Sequence, residues 1–281
     1  MDRNYVSIVM PTFERAHIIT KAIDSILAQT YSDFELLVID DASSDNTEDI
    51  VNSFQDPRIR YIKCKHNIGA NAARNKGVEE SNYSIIAFHD SDDIWHPQKL
   101  DLQVDFLKNN NVEVVASQFN YFVKDKLKCI IPPKEKAKGQ YLSDILHCNF
   151  VSTQTLMGYK SCFVAQPFDA NLPRFQDWEL AIRLLTNYKF GFVNEPLVDV
   201  YVQSDSISQS RDKGQRALGL ILEKHFELFS IDNSILSNFY FTLSRFCDDK
   251  ESNKKFLKMS LTAKFKYKSL VLLIYNLLNF R

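Results

Sequence analysis

Three runs of branched apolar residues, Val6–Met10, Phe34–Ile39 and Tyr83–His89, each break off into a polar or acidic tail, and helical stretches separate them. Strands that lack an apolar–polar alternation are buried on both faces, so these runs belong to a parallel sheet packed between helices. The spacing predicts a helix over Ala16–Gln29, where Ile18, Ile19, Ala22, Ile23, Ile26 and Leu27 recur at helical intervals. Further helices are expected at Asn46–Phe54, capped by Ser44 or Asp45, at Asn71–Glu80 and at Gln98–Asn109, with one more strand at Ile59–Lys63. In such a sheet ligands bind outside the carboxyl ends of the strands. Three tails therefore point to one crevice: Pro11 to Arg15 after the first strand, Asp40 to Asp45 after the second, and Asp90 to Asp93 after the fourth.

The middle of the chain is less regular. Val114–Phe122 reads as a strand, Pro132–Gly139 as a charged loop, Asp177–Leu185 as a short helix, and Phe192–Tyr201 as a strand interrupted by Pro196. Three helical patterns follow, Gln215–Phe229, Ile235–Asp248 and Ser252–Tyr275, which read as an appendage. Apolar residues make up 45% of the 281, enough for a large core, and a formal charge of −1 argues against nucleic acid as a partner. Five scattered cysteines without a CxxC pair exclude a disulfide framework or zinc ribbon, and a reducing compartment is expected. The apolar stretch at the N-terminus is too short for a signal peptide and ends at Pro11. No segment reaches the roughly 20 apolar residues that span a bilayer. The nearest, Ser269–Leu278, follows Lys264, Lys266 and Lys268; it reads equally as a segment lying on an anionic membrane or as a core-packing helix.

Asp90, Asp92 and Asp93 are three carboxylates within four residues, which repel one another unless a cation or hydrogen-bond donors offset them. A magnesium or manganese ion, held by one or two carboxylates plus phosphate oxygens, is one remedy. A solvated acidic turn ahead of the next helix is the plainer alternative, and the position at a strand end favours the metal. Asp40 and Asp41 suit ligand hydrogen bonds or simple turn formation. Asn67, Gly69, Asn71 and Arg74 form a loop leading into a helix whose N-terminus attracts anions, with Arg74 as phosphate or ribose partner. Asp177 opens a helix, where an acid also serves as a cap. His89, His96 and His147 show no metal-ligand spacing. No P-loop or GxGxxG is present.

Taken together, the blocks VSIVMPTFERAHIITKAIDSILAQTYSDFELLVIDDASSDNTEDIV, DPRIRYIKCKHNIGANAARNKG and YSIIAFHDSDDIWHPQKLDLQ resemble the N-terminal half of glycosyltransferase family 2. The resemblance runs from about Val6 to Phe122 and continues more weakly through QDWELAIRL and YVQSDSIS to Ser208. It implies an α/β fold of GT-A type, a Rossmann-like mixed sheet flanked by helices, with a C-terminal helical appendage. Residues 1–212 would then form the transferase domain, nucleotide-binding to 122 and acceptor-binding from 123, with 213–281 as the extension. By the resemblance Pro11, Thr12, Phe13 and Glu14 line a nucleoside pocket; Glu14 stands where many members have Asn. Asp41 matches a carboxylate that contacts uracil, and Asn67, Arg74 and Asp90 lie near the donor. Asp92 and Asp93 match the residues for ribose or sugar and for metal, Mn2+ or Mg2+. Asp177 matches the catalytic base of a Glu-Asp pair in which Gln176 here replaces the Glu.

The activity so implied is inverting transfer from a nucleotide-diphosphate sugar, a UDP-sugar by expectation, to a saccharide or lipid-linked hydroxyl in cell-surface polysaccharide synthesis. The chain lacks the QxxRW motif of processive members. A cytoplasmic enzyme is expected, peripheral at the inner face of the membrane through the C-terminal helices or the Pro132–Gly139 loop. A sugar nucleotidyltransferase would show a Gly-rich basic loop where PTFERAH stands, and a non-catalytic nucleotide-sugar-binding protein is the third alternative.

Overall fold

The computed structural model describes residues 5–202, 211–264, 269, 270, 272 and 273. Two compact units divide them: one comprises the chain up to 142 with 150–170 and 176–204, the other 143–149, 171–175 and the chain from 205.

The first unit is built on nine strands. In chain order they are β1 (Val6–Thr12), β2 (Phe34–Asp40), β3 (Ile59–Lys63), β4 (Ile85–Phe88), β5 (Ile94–Trp95), β6 (Val114–Val123), β7 (Lys126–Ile131), β8 (Met157–Tyr159) and β9 (Phe190–Val202). Its helices are α1 (Ile19–Leu27), α2 (Thr47–Ser53), α3 (Ala70–Glu80), α4 (Lys99–Asn109), α6 (Lys160–Ala165) and α7 (Gln176–Asn187), while α5 (Tyr141–His147) starts in this unit and belongs to the other from residue 143. The sheet order is β3-β2-β1-β4-β8-β6-β9-β5, with β7 paired to β6. Strands β1 to β4 are parallel; β8 is antiparallel to β4 and β6, and β6 is parallel to β9. The sheet is therefore mixed, and β4, β6 and β9 all run the same way.

The apolar runs behave as their composition requires. Every residue of β1, β2 and β4 is buried, and α1 lays Ile19, Ala22, Ile23 and Ile26 on them. At Pro196 the pairing of β9 with β6 shifts register, so the missing amide is absorbed within one long strand. The short strands β5 and β8 and the exposed strand β7 carry no periodic apolar signal and were not expected.

Helix α3 lies close against the sheet because Gly77 faces it. A methyl at Gly77 would collide with Val9 Cγ1 and stand 3.1 Å from Ile39 Cγ1. Gly77→Ala is expected to destabilise the unit by about 1–3 kcal/mol through overpacking, read as a lower denaturant midpoint; an unchanged midpoint would show that α3 can shift without cost.

The second unit contains α8 (Arg211–Ser230), α9 (Asn233–Ser244) and α10 (Lys250–Ala263). Asp232 and Asp249 cap α9 and α10 by accepting from Ser234 and Ser252 amides. Phe229 packs on Phe239 with the rings tilted at 54° and their centroids 4.4 Å apart, and Ser237 bonds Ser260 across α9 and α10. The expected third helical pattern is realised as far as Ala263; Lys266, Lys268 and most of Ser269–Leu278 lie outside the described residues, as does the block at 203–210. Among the described residues no helix is long and apolar enough to cross a membrane.

Candidate active site

The tails of β1 and β2 are laced together. The Asp41 amide donates to the Thr12 carbonyl (2.8 Å), the Glu14 amide to Ser43 Oγ (2.9 Å), and Ser44 donates its amide and hydroxyl to Glu14 Oε1 (2.8 and 2.9 Å). Both tails place a non-glycine residue in the left-handed region, Glu14 at φ 54° and Ala42 at φ 68°. That conformation costs about 1–2 kcal/mol per residue, and asparagine tolerates it better than glutamate. Strain of this kind gathers at functional sites. Pro11 and Thr12 are buried, whereas Phe13 is 45% exposed.

Asp40 and Asp41 have separate jobs. Asp40 is fully buried and accepts from Ser43 and Tyr61, so it holds its own turn. Asp41 accepts from the Ile68 amide (2.6 Å) and the Gly69 amide (2.8 Å), which fixes the entry to α3. Gly69, at φ 86°, permits that turn. Asn67 is exposed just ahead of it. From α3, buried Arg74 reaches Asp90 at the end of β4 (2.7 Å) and also donates to Asn71 Oδ1 (3.2 Å). A continuous chain of bonds thus joins the tails of β1, β2 and β4.

The three clustered acids differ in surroundings. Asp90 is paired with Arg74. Asp93 is buried; it accepts from the Tyr201 amide (3.0 Å) and from Gln154 Nε2 (2.6 Å). Burial, and then the charges of Asp92 and Asp90, push its carboxyl well above the usual range. Asp92, between them, is half-buried. Among the described residues no three His, Cys, Asp or Glu side chains are arranged to hold a metal by themselves. A hard cation nonetheless fits this donor set. Mutually repelling carboxylates at a strand end suit an ion that takes one or two of them and completes its shell with phosphate oxygens.

Three buried side-chain polar atoms among the described residues make no hydrogen bond: Thr12 Oγ1, Arg74 Nε and Thr153 Oγ1. Thr12 ends β1, Arg74 faces Asp90, and Thr153 precedes the Gln154 that holds Asp93. Unpaired buried polar atoms are uncommon in native proteins and ask for a functional explanation.

The histidines serve structure. Burial pushes His89 down to about 3, so the ring is neutral, and Nδ1–H donates to the Asp90 carbonyl (2.6 Å). His147 bonds Ser143 and Ser234. His96 Nε2 meets Asp199 Oδ1 (2.8 Å), which also accepts from Asn120 (2.7 Å). The hydrogen bond to Asp199 raises the His96 pKa above 6.5, against opposing burial. The stabilisation is complete below the unfolded pKa and is lost as pH rises through the raised value. The melting difference between wild type and His96→Gln is therefore expected to be larger near about pH 5.5 than near about pH 8.5; a difference independent of pH would rule out the ionised link.

Asp177, the second residue of α7, is half-buried and its Oδ1 accepts from the Trp178 amide (2.7 Å). The C-terminal end of α7 (Leu185, Tyr188) shares a cavity of about 480 Å³ with Val112 and Phe190, at the amino ends of β6 and β9. Asp177 stands eight residues before Leu185, about 12 Å along the helix axis from that cavity. The neighbouring acid, Glu179, is buried and grips Arg183 with both oxygens (2.9 and 2.7 Å), which commits it to structure.

Of the residues read from the sequence, Thr12, Glu14, Asp41, Arg74, Asp90, Asp92 and Asp93 come together through bonds or charge at one end of the sheet. Asn120, Asp199 and Gly77 carry no signal in the sequence, and Gln154 enters the sequence reading only within the stretch Phe150–Thr155, expected to choose donor sugar and acceptor. Gln154 lies 61 positions from Asp93, and no local pattern announces such a pair.

The model of "Glycosyl transferase family 2" matches residues 7–160. The UDP-Glc:alpha-D-GlcNAc-diphosphoundecaprenol beta-1,3-glucosyltransferase WfgD of Escherichia coli is 39% identical over 136 residues. That match takes in 48% of this chain and 54% of the relative, so the chain spans about half the length of that relative. S. aureus TarS 1–349 in complex with UDP-GlcNAc superposes with a TM-score of 0.65 at 15% identity, covering 98% of this chain and 89% of TarS. Mannosyltransferase PcManGT of Pyrobaculum calidifontis, in complex with GDP-Man and Mn2+, gives 0.65 at 16% identity, covering 97% and 79%. These likenesses establish the GT-A fold, and with a family model matched over more than half its length the chain belongs to glycosyl transferase family 2.

Proposed function

We propose that the chain moves one sugar from a UDP-sugar, held with a divalent cation, to a hydroxyl of a lipid-linked saccharide, with inversion at the anomeric carbon. The observation that carries this reading is the hydrogen-bonded convergence of strand tails on Asp90, Asp92 and Asp93, bordered by unpaired Thr12, Arg74 and Thr153 atoms. The names of WfgD and TarS support a UDP-sugar donor, that of WfgD a diphosphoundecaprenol-linked acceptor, and that of PcManGT a manganese ion.

In this reading the nucleoside rests on the β1 and β2 tails, with exposed Phe13 as a stacking face. Asp41 and Arg74 set the frame: Asp41 fixes the start of α3, and Arg74 neutralises Asp90. Asp92 is the protein ligand for Mn2+ or Mg2+, which when bound offsets charge on the leaving diphosphate. Asp93 holds the acid tail to β9 and to Gln154. The acceptor hydroxyl is a poor nucleophile until Asp177 takes its proton. The oxygen then bonds to the anomeric carbon as the bond from that carbon to the diphosphate oxygen breaks. One displacement inverts the centre.

Residues 1–212 act as the transferase domain and 213–281 as an extension. Contact with the inner face of the membrane brings the enzyme to its acceptor, with the segment after Lys264 as one candidate for that contact. A panel of UDP- and GDP-sugars, assayed for transfer to saccharide and lipid-linked acceptors with and without manganese, tests the reading. Cation-dependent transfer is expected, and no turnover with any donor would remove it.

A further inference from the structure

The edge of the first unit formed by β6 and β7 is unusual in composition. Strand β7 pairs only with β6 among the described strands, and five of its six residues are exposed. Between Lys124 and Lys138 the chain carries six lysines, at 124, 126, 128, 134, 136 and 138, against Asp125 and Glu135, in a molecule whose overall charge is −1. Interleaved with the lysines are Leu127, 53% exposed, and Ile130, 38% exposed. The turn itself holds Lys124 and Asp125 both left-handed, at φ 51° and 55°. A two-residue turn of that kind favours Asn-Gly, so a lysine stands at the tip against local preference.

The place of this hairpin matters as much as its chemistry. Strand β6 runs parallel to β9 and in the same direction as β4, so the turn projects from the end of the sheet at which Asp90 to Asp93 stand. Phe122 pairs with Tyr201, whose amide binds Asp93, and Asn120 pairs with Asp199, the partner of His96. The hairpin leaves the sheet two residues beyond the first of these pairs.

We propose that the β6–β7 hairpin docks on the surface of an anionic lipid bilayer. Lys124, Lys126 and Lys128 meet the headgroups while Leu127 and Ile130 enter the interfacial layer, and the acidic tail after β4 is held toward the membrane. Alternating lysine and apolar side chains suit charged headgroups above acyl chains. A nucleic-acid backbone offers the charge without the apolar layer. The inference rests on the lipid-linked acceptor proposed above, but its test does not depend on catalysis.

The full chain is sedimented with vesicles of phosphatidylcholine alone and of phosphatidylcholine mixed with phosphatidylglycerol. Binding to the anionic vesicles only is expected. Lys124→Gln with Lys126→Gln and Lys128→Gln is expected to weaken it about a hundredfold, from about fivefold for each lysine near the surface. Leu127→Ser with Ile130→Ser is expected to weaken it about tenfold. Lys21→Gln with Lys108→Gln and Lys189→Gln, outside the hairpin, serves as the charge control and should bind within about twofold per lysine of wild type. Equal binding to both vesicles, no binding, or a hairpin triple variant that binds like wild type would overturn the proposal. Transfer to a lipid-free acceptor is measured on the same proteins. Transfer to a lipid-linked acceptor in detergent is measured beside it, and absence of both throughout would remove the enzyme reading and leave the docking result to stand or fall by the vesicles.

Discussion

Asp177→Asn is expected to leave donor binding unchanged and to slow transfer by about 10²–10⁴-fold, the usual contribution of a positioned base. Asparagine has the size of aspartate, and its carbonyl oxygen can still accept from the Trp178 amide, as Asp177 Oδ1 does. The start of α7 therefore keeps its shape. What is lost is the ability to take a proton from the acceptor hydroxyl. Glu179 cannot substitute, because it is buried on Arg183 in the turn below. Donor affinity by calorimetry and initial rates of transfer separate the two effects. Unchanged turnover would take Asp177 out of the mechanism, and loss of donor binding would give it a different role.

Asp92→Asn is expected to lower transfer by about 10²–10³-fold, a loss of several kcal/mol of charge stabilisation, and to abolish the response to manganese. Asp92 is half-buried in the same acid tail as Asp90, which pairs with Arg74, and Asp93, which accepts from Tyr201 and Gln154. Asp93→Ala should behave differently. It strands the Tyr201 amide and Gln154 Nε2 in a buried place, at a cost of about 1–3 kcal/mol for an unsatisfied group. Its first effect is then a lower melting temperature. Manganese titrations of the rate beside thermal melts distinguish the two variants. If Asp93→Ala alone loses the manganese response while Asp92→Asn keeps it, the ligand assignment is reversed.

The parts of the fold legible in the sequence are those whose signal is local. Val6–Met10, Phe34–Ile39 and the fourth strand are continuous apolar runs because both faces are covered, and burial on both faces leaves no other composition open to them. The acidic tails follow directly, so the crevice could be anticipated. Boundaries were harder. The pattern predicts a helix from Ala16, but α1 begins at Ile19, since Arg15 and Ala16 spend their amides on Thr47 at the start of α2 and on Asp45 in the tail before it. Strand β7 was invisible because its lysine-rich edge has no face to bury. The division of labour among Asp90, Asp92 and Asp93 was also hidden. It is set by Arg74, Gln154 and Tyr201, which lie 16, 61 and 108 positions from their partners. Glu14 departs from the asparagine that the family resemblance implies at this position. Its left-handed backbone and its bonds to Ser44 account for both residues at that position, one by conformation and the other by its carboxylate.

Calorimetric titration of UDP into the chain, in manganese and in chelator, measures most directly whether the strand tails gather a cation-held diphosphate. Heat of binding in manganese, an affinity at least about tenfold weaker in chelator, and the same weakening in Asp92→Asn are expected. Equal affinity under all three conditions would contradict a shared cation site, and with it the role of the acids that follow β4 in holding the donor.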